Sequence, residues 1–445
     1  MPAPDTDQSS DDTLANSTSC GTETVADMQS APAAHSLFSV IGVELEYMIV
    51  DRQTMQISPH ADRLLETAVG LPASDCERGI ISWSNELPLH VIELKTAQPA
   101  TTTTGLSLSF QSSVLEINQH LSSFSPELCL LPGGMHPWMN PTSETRLWPH
   151  ECGQVYQAFH RIFDCSGHGW SNLQSTHINL PFANDDEFAR LHAAVRLLLP
   201  LLPALAASSP VVDGRLTDQL DNRLWYYRRN SAAVPQVNGL VIPEPAVSEA
   251  DYNRKILQPM YAAIQPLDPE GHLQHPFLNA HGAIARFDRG SIEIRLLDIQ
   301  ECPIADLAVV QLIVAVLQEL TSERWSDQHQ HNAVPTQQLA ELLRQSTAAA
   351  EDTLITDPDL LSLFGYPHPS VRAGDLWKHL ADCSTMGGSA EEASAISLIL
   401  TEGSLASRLR RSVLATDMTR PALTAIWTEL ASCLQHNRMF RSHQL

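Results

Sequence analysis

Four short segments of this chain carry acidic or other polar side chains at every second position. That pattern constrains the fold more than any other feature of the sequence. Side chains alternate across a β-strand with a period of two, so residues i and i+2 share a face. In 39–50, Gly42, Glu44 and Glu46 lie on one face, with Val43, Leu45 and Tyr47 on the other. In 91–96, Glu93 and Lys95 oppose Ile92 and Leu94. In 175–180, Ser175, His177 and Asn179 oppose Thr176, Ile178 and Leu180. In 291–297, Glu293 and Arg295 oppose Ile292, Ile294 and Leu296. Glutamate is depleted in strands, yet glutamates occupy interior positions in three of the four. One such strand alone reads most simply as a solvated face. Four together point to a concave acidic face lined by Glu44, Glu46, Glu93 and Glu293, with His177 nearby. A site for several Mg²⁺ ions requires such a set, because clustered carboxylates repel one another unless metal neutralises them.

Between these strands the spacing predicts helices over 60–69, 106–121, 154–163, 186–199, 252–264 and 304–319. Long helical insertions, rather than tight turns, separate the strands. The expected fold class is therefore α+β, with a curved, mainly antiparallel sheet and helices packed outside it. Amphipathic helices at 336–346, 389–401, 404–415 and 420–435 follow, with no strand expected after 326. Residues 1 to about 35 are rich in Ser, Thr, Asp, Ala and Pro and have almost no large apolar residues. Such a segment cannot offset its ordering entropy and is expected to be a disordered acidic tail. The organisation expected is tail 1–36, sheet-bearing domain 37–325 and helical region 326–445, the last packed on the sheet-bearing domain.

With 27 Lys and Arg against 51 Asp and Glu, the net charge is −24. That field disfavours nucleic acid and anionic membrane surfaces as partners. A small anionic substrate stays admissible, because clustered cations or Mg²⁺ reverse the field locally. The most apolar stretch, 193–207, is broken by Arg196, Pro200 and Pro203 and is too short to span a bilayer. No secretory signal is visible, and the eight cysteines include no CxxC pair. Both point to reduced thiols and a cytoplasmic location.

Other motifs supply loops and cations. Gly133-Gly134-Met135-His136-Pro137 reads as a tight turn able to bring backbone N–H groups to a ligand. Ala206-Ala207-Ser208-Ser209-Pro210 leads to Asp213-Gly214-Arg215, and then to Arg223, Arg228 and Arg229. Arginine forks bind carboxylate or phosphate bidentately, although each one singly reads more simply as a surface or structural ion pair. His150, Cys152, Cys165 and His168 approach the spacing of a zinc module. The helical pattern between the two cysteines argues against that alternative.

Six of these pieces, in this order, resemble the glutamate–cysteine ligases of the second bacterial type and the wider carboxylate–amine ligases related to glutamine synthetase. They are Gly42-Val43-Glu44-Leu45-Glu46, Val91-Ile92-Glu93-Leu94-Lys95-Thr96, Gly134-Met135-His136-Pro137, Thr176-His177-Ile178-Asn179, Ala207-Ser208-Ser209-Pro210 and the run from Ser291 to Asp298. The resemblance covers about 38–325; the helices beyond it match nothing, and the Thr101–Thr104 run is unusual after a site strand. It implies an active-site funnel, with ATP entering at one end. It implies Mg²⁺ ligands at Glu44 or Glu46, Glu86, Glu93, His177 and Glu293. Catalysis would centre on Arg295 and Glu293, with Arg295 near the transferred phosphoryl group. Substrate and nucleotide contacts would come from Lys95, His136, Asn179, Arg215, Arg223, Arg228 and Arg286. The implied reaction joins the glutamate γ-carboxylate to an amine, either L-cysteine or another acceptor, through an acyl phosphate with release of ADP. The expected partners are these small molecules and a second copy of the chain in a homodimer.

Overall fold

The computed structural model describes residues 35–150 and 153–442; all but the end of the expected N-terminal tail, and Cys152, lie outside that range. Eight strands build one sheet: β1 Gly42–Asp51, β2 Asp75–Arg78, β3 Ile81–Asn85, β4 Val91–Thr96, β5 Leu128–Leu131, β6 Ser175–Pro181, β7 Ala283–Arg286 and β8 Ser291–Asp298. Their order is β2-β3-β4-β1-β6-β8-β7, and β5 pairs with the second half of β1. Every pairing is antiparallel. All four strands read from the sequence belong to this sheet. The other four escaped notice for a physical reason. β5 is a continuous apolar run, Leu-Cys-Leu-Leu, which periodicity cannot tell from a helix segment, and β2, β3 and β7 are four or five residues long.

One face of the sheet is the core. Val43, Leu45, Tyr47, Ile92, Leu94, Ile178, Ile292 and Ile294 are each at most 1% exposed. They belong to one apolar cluster with residues of helices Ala61–Val69, Leu106–Ser122, Asp185–Leu198 and Pro303–Thr321. The last of these is long and apolar enough to cross a membrane, but 78% of its apolar window is buried inside the protein, which makes it a core helix. The helix expected over 252–264 is interrupted. A π-turn at Asn253–Leu257 separates Glu249–Tyr252 from Gln258–Ile264. Pro259 has no N–H for the regular ladder, and the wider turn absorbs the defect.

The C-terminal helices Thr336–Ala349, Ala373–Cys383, Ala390–Glu402, Leu405–Leu414 and Arg420–Gln435 rest against the other elements. Gln111 donates to the carbonyls of Leu434 and Gln435. Arg408 and Glu301, both fully buried, join Leu405–Leu414 to the segment just after β8. A two-residue ladder between Leu354–Ile355 and Val371–Arg372 is the departure from the strand-free tail that was expected.

Candidate active site

The strand register assembles the polar face. β1 lies between β4 and β6, so Glu44 stands opposite Lys95 on one side and His177 on the other. Glu46 stands opposite Glu93, and Asn179 stands opposite both Gly42 and Glu293. Gly42 packs closely there: a methyl group in its place would sit 3.0 Å from Asn179 Cβ, and Asn179 would have to give by a few tenths of an ångström. A β-bulge in β8 sets Arg295 and Leu296 against the single residue His177. Beyond the bulge the register has slipped by one, so Asp298 pairs with Ser175 and turns to the polar side.

Hydrogen bonds fix the carboxylates. His177 Nδ1 lies 2.9 Å from Glu44 Oε2, and Asn179 Nδ2 donates to Glu44 Oε1 at 2.9 Å. Glu46 Oε2 accepts from the Ser175 backbone N–H at 2.6 Å and from its hydroxyl at 2.9 Å. Glu93 Oε2 accepts from Ser84 Oγ and Lys95 Nζ, each at 2.6 Å. Glu293 accepts from Arg295. Burial alone would lower the His177 pKa, but its hydrogen bond to Glu44 and the charges of Glu46, Glu44 and Glu293 raise it to about 9. Burial, with Glu46 and Glu93 beside it, pushes Glu86 up to about 8. Burial opposes ionisation of Glu293, but Arg295 and His177 outweigh it and hold the carboxyl down at about 2.

Ligand atoms of Glu44, Glu93 and His177 lie within 4.8 Å of one another, and so do those of Glu46, Glu86 and Glu93. Five oxygen-bearing or imidazole side chains in two groups that share Glu93 suit hard divalent cations. Between them they present four carboxylates, with Lys95 bonded to Glu93 and His177 to Glu44. Beside the second group is a cavity of about 190 Å³, lined in part by Glu46, Glu86, His177, Arg223 and Arg295.

The sequence profile of glutamate–cysteine ligase family 2 matches residues 40–426. The chain belongs to this family. An uncharacterized protein of Archaeoglobus fulgidus is 30% identical over 406 residues, 90% of this chain and all of that one. Among solved structures, the bifunctional glutathione synthetase of Pasteurella multocida superposes with a TM-score of 0.56 at 15% identity. That likeness covers 90% of this chain but only 53% of the other, so the chain spans about half its length, and it speaks for the fold alone. Membership of glutamate–cysteine ligase family 2 makes the chain an ATP-dependent carboxylate–amine ligase.

Of the residues singled out in the sequence, this family-2 ligase brings Glu44, Glu46, Glu86, Glu93, Lys95, His177, Asn179, Glu293 and Arg295 to one face. Glu293 belongs to neither three-residue group; it pairs with Arg295 and stands 3.8 Å from His177 Nδ1. Arg286 is paired to Asp288 at 2.7 Å and is close enough to help depress Glu293. Three candidates are not brought there. His136 is wholly buried, its Nε2 is 2.7 Å from the Met55 carbonyl, and burial pushes its pKa down to about 3. It is a neutral structural histidine. Arg215 is exposed on the hairpin of Val211–Val212 and Arg215–Leu216, and Arg228 lies toward Arg229, Arg344 and Glu341.

The zinc alternative finds no support among the described residues. His150 faces Asp62, His168 faces Asp213, and Cys165 is fully buried. Sequence reading did not single out Ser84, which holds Glu93, or Asp298, which holds Arg223. Ser84 was visible in the alternation of Ile81-Ser82-Trp83-Ser84. Asp298 was not, because simple alternation places it on the apolar side and only the bulge turns it over.

Proposed function

We propose that this ligase joins the γ-carboxylate of glutamate to the amine of L-cysteine, with ATP supplying the activation. The observation that carries the reading is the pair of three-ligand groups sharing Glu93, set beside Arg295 on one sheet face. A carboxylate acylates poorly because its oxygen is a poor leaving group. Attack of a carboxylate oxygen on the γ-phosphorus of ATP releases ADP and leaves an acyl phosphate. The amine then attacks the acyl carbon, phosphate departs, and the amine loses a proton. In this reading Glu44, Glu93 and His177 hold one Mg²⁺, and Glu46, Glu86 and Glu93 hold a second. Mg²⁺ at those positions supplies neutralisation and orientation of the phosphate oxygens. Arg295 adds a fixed cation whose direction Glu293 sets. Leu87, Val91, Trp170 and Leu173 line the adjoining cavity and shield the reacting carbonyl from water. The six described cysteines are unpaired and five of them are buried, which supports a reducing, cytoplasmic setting.

The test is product analysis with ATP, Mg²⁺, glutamate and a panel of amino acids and amines, scored by nucleotide and by product mass. ADP with γ-glutamylcysteine is the expected result. AMP and pyrophosphate as products would overturn the acyl-phosphate route, and a different amide would replace cysteine as the acceptor.

A further inference from the structure

A second cavity, of about 260 Å³, lies on the reverse of the acidic sheet, where the start of β1 and the end of β6 meet the helix Pro303–Thr321. Ile41 and Leu180, both in the core cluster, line it, whereas their neighbours Gly42 and Asn179 face the acidic groups. The sheet therefore stands between this cavity and the ligand groups around Glu93. Phe38 and Val314 extend its apolar wall. Thr101, Thr103 and Thr385 bring hydroxyl groups to it, and Gln311 brings an amide. None of the residues that line it is charged, so a charged occupant would lose water without gaining a counter-ion. The volume falls just below the roughly 300–1,000 Å³ of drug-sized ligand sites, which limits the occupant to a small molecule.

The threonine run after β4, which takes no part in the acidic face, shapes one side. Thr102 Oγ1 donates to Thr104 Oγ1 at 3.1 Å and accepts from the Thr104 backbone N–H at 3.1 Å. That local turn sets Thr101 and Thr103 against the cavity. Gln311, on the core helix, is the polar group with an unmet need. It is 4% exposed, and its Nε2 donates to Glu392 Oε2 at 2.9 Å. Glu392 is itself held by Ser107 Oγ at 2.7 Å and by the Ser389 backbone N–H at 2.8 Å. With the amide N–H group turned to a carboxylate, the carbonyl oxygen is the free end, and Gln311 Oε1 has no hydrogen-bond partner. A buried acceptor left without a donor is costly. Gly388, at φ +104°, keeps the approach to that oxygen clear, because a Cβ there would collide with it.

We propose that this cavity binds a small uncharged molecule with an apolar body and one N–H or O–H donor, which it gives to Gln311 Oε1. Bound there, the molecule bridges the sheet to the segment 384–389 that leads into the helix Ala390–Glu402. Its chemistry is unlike that of the charged reactants on the opposite face, so it is an additional ligand and not a substrate.

The experiment uses indole as the probe, because it is uncharged, largely apolar and carries a single N–H donor. Two comparators each change one property: 1-methylindole lacks the donor, and indole-3-acetate adds a negative charge. Titration calorimetry on the full chain should give one-to-one binding of indole with a Kd of roughly 1 mM or tighter. Each comparator should bind about tenfold more weakly. Gln311→Met keeps the length of the side chain and removes the acceptor, so it should erase the preference for indole over 1-methylindole. Ala100→Leu fills the cavity from a partly buried position and should abolish binding; it decides the question if Gln311→Met does not fold. ADP with Mg²⁺ should leave the affinity for indole within about twofold, since the sheet separates the two sites. No binding of indole at about tenfold the expected Kd overturns the proposal. Equal binding of 1-methylindole, or binding that survives Ala100→Leu, does so as well. Displacement of indole by ADP with Mg²⁺ would put the probe on the acidic face and overturn it too. The readout is binding, so failure here leaves the ligase reading standing, and absence of ADP release leaves this site standing.

Discussion

Glu46 and Glu93 stand directly opposite each other across the ladder between β1 and β4, 7% and 6% exposed. Like charges in that position destabilise an antiparallel pair. Ser175 holds Glu46, while Ser84 and Lys95 hold Glu93, and Glu86 adds a third carboxylate to the group. A divalent cation bound there should stabilise the folded protein by about 2.7 kcal/mol at a hundredfold excess over its Kd. Thermal unfolding with Mg²⁺ and with a chelator measures this. Identical melting temperatures under the two conditions would argue against a metal site on this face.

Two substitutions that each remove one negative charge should separate in stability while agreeing in activity. Glu86 resists ionisation, so Glu86→Gln should raise the metal-free melting temperature at pH 9. Glu293 is held ionised by Arg295 and His177, so Glu293→Gln breaks a buried pair and should cost about 3 kcal/mol or more. Both should lower turnover by about 10²–10³-fold through lost positioning of charge. Wild-type turnover in Glu293→Gln at limiting Mg²⁺ would remove that residue from the site.

The pH dependence of metal-free stability follows from groups on both sides of neutrality. Burial depresses His136 and His192 to about 3, and His90 and His281 to about 4. Below about pH 6.5 the unfolded chain takes up these protons and the folded one does not, so stability falls with falling pH. Burial raises Asp306 to about 8, so it stays protonated in the folded state where the unfolded chain has lost the proton. Its contribution is lost as pH rises toward 8, and Glu86 and His177 act in the same direction. Denaturant unfolding in a chelator should therefore show a maximum near pH ~6.5. A stability that keeps rising to pH 9 would contradict these assignments.

Arg408 and Glu301 form a buried pair to which the Phe440 backbone also contributes, its carbonyl accepting from Arg408 and its N–H donating to Glu301. Arg408→Met should cost about 3–5 kcal/mol, because it leaves a buried carboxylate without its cation. Replacing both partners with apolar residues should recover much of that loss. Urea unfolding of the single and double variants makes the comparison.

Which residues share a face was legible in the sequence, because side-chain alternation follows from the local geometry of each strand. Glu44 with Glu46, Glu93 with Lys95, His177 with Asn179, and Glu293 with Arg295 all follow from spacing alone. The order of the strands was not legible, since any of these polar faces could have met any other. Only non-local pairing places β1 between β4 and β6, and so sets Glu46 against Glu93 and Glu44 against His177. The bulge at Arg295 and Leu296 was equally hidden, because one extra residue reverses every later side chain without altering the apparent alternation. That reversal brings Asp298 to Arg223, and Arg223 to the cavity. His136 shows the converse: its motif reads as a ligand-facing turn, yet the packed fold surrounds it with Met55, Trp138 and Asn172. Local chirality decides which way a side chain points along its own strand, whereas what it meets depends on contacts closed by residues far away in the chain.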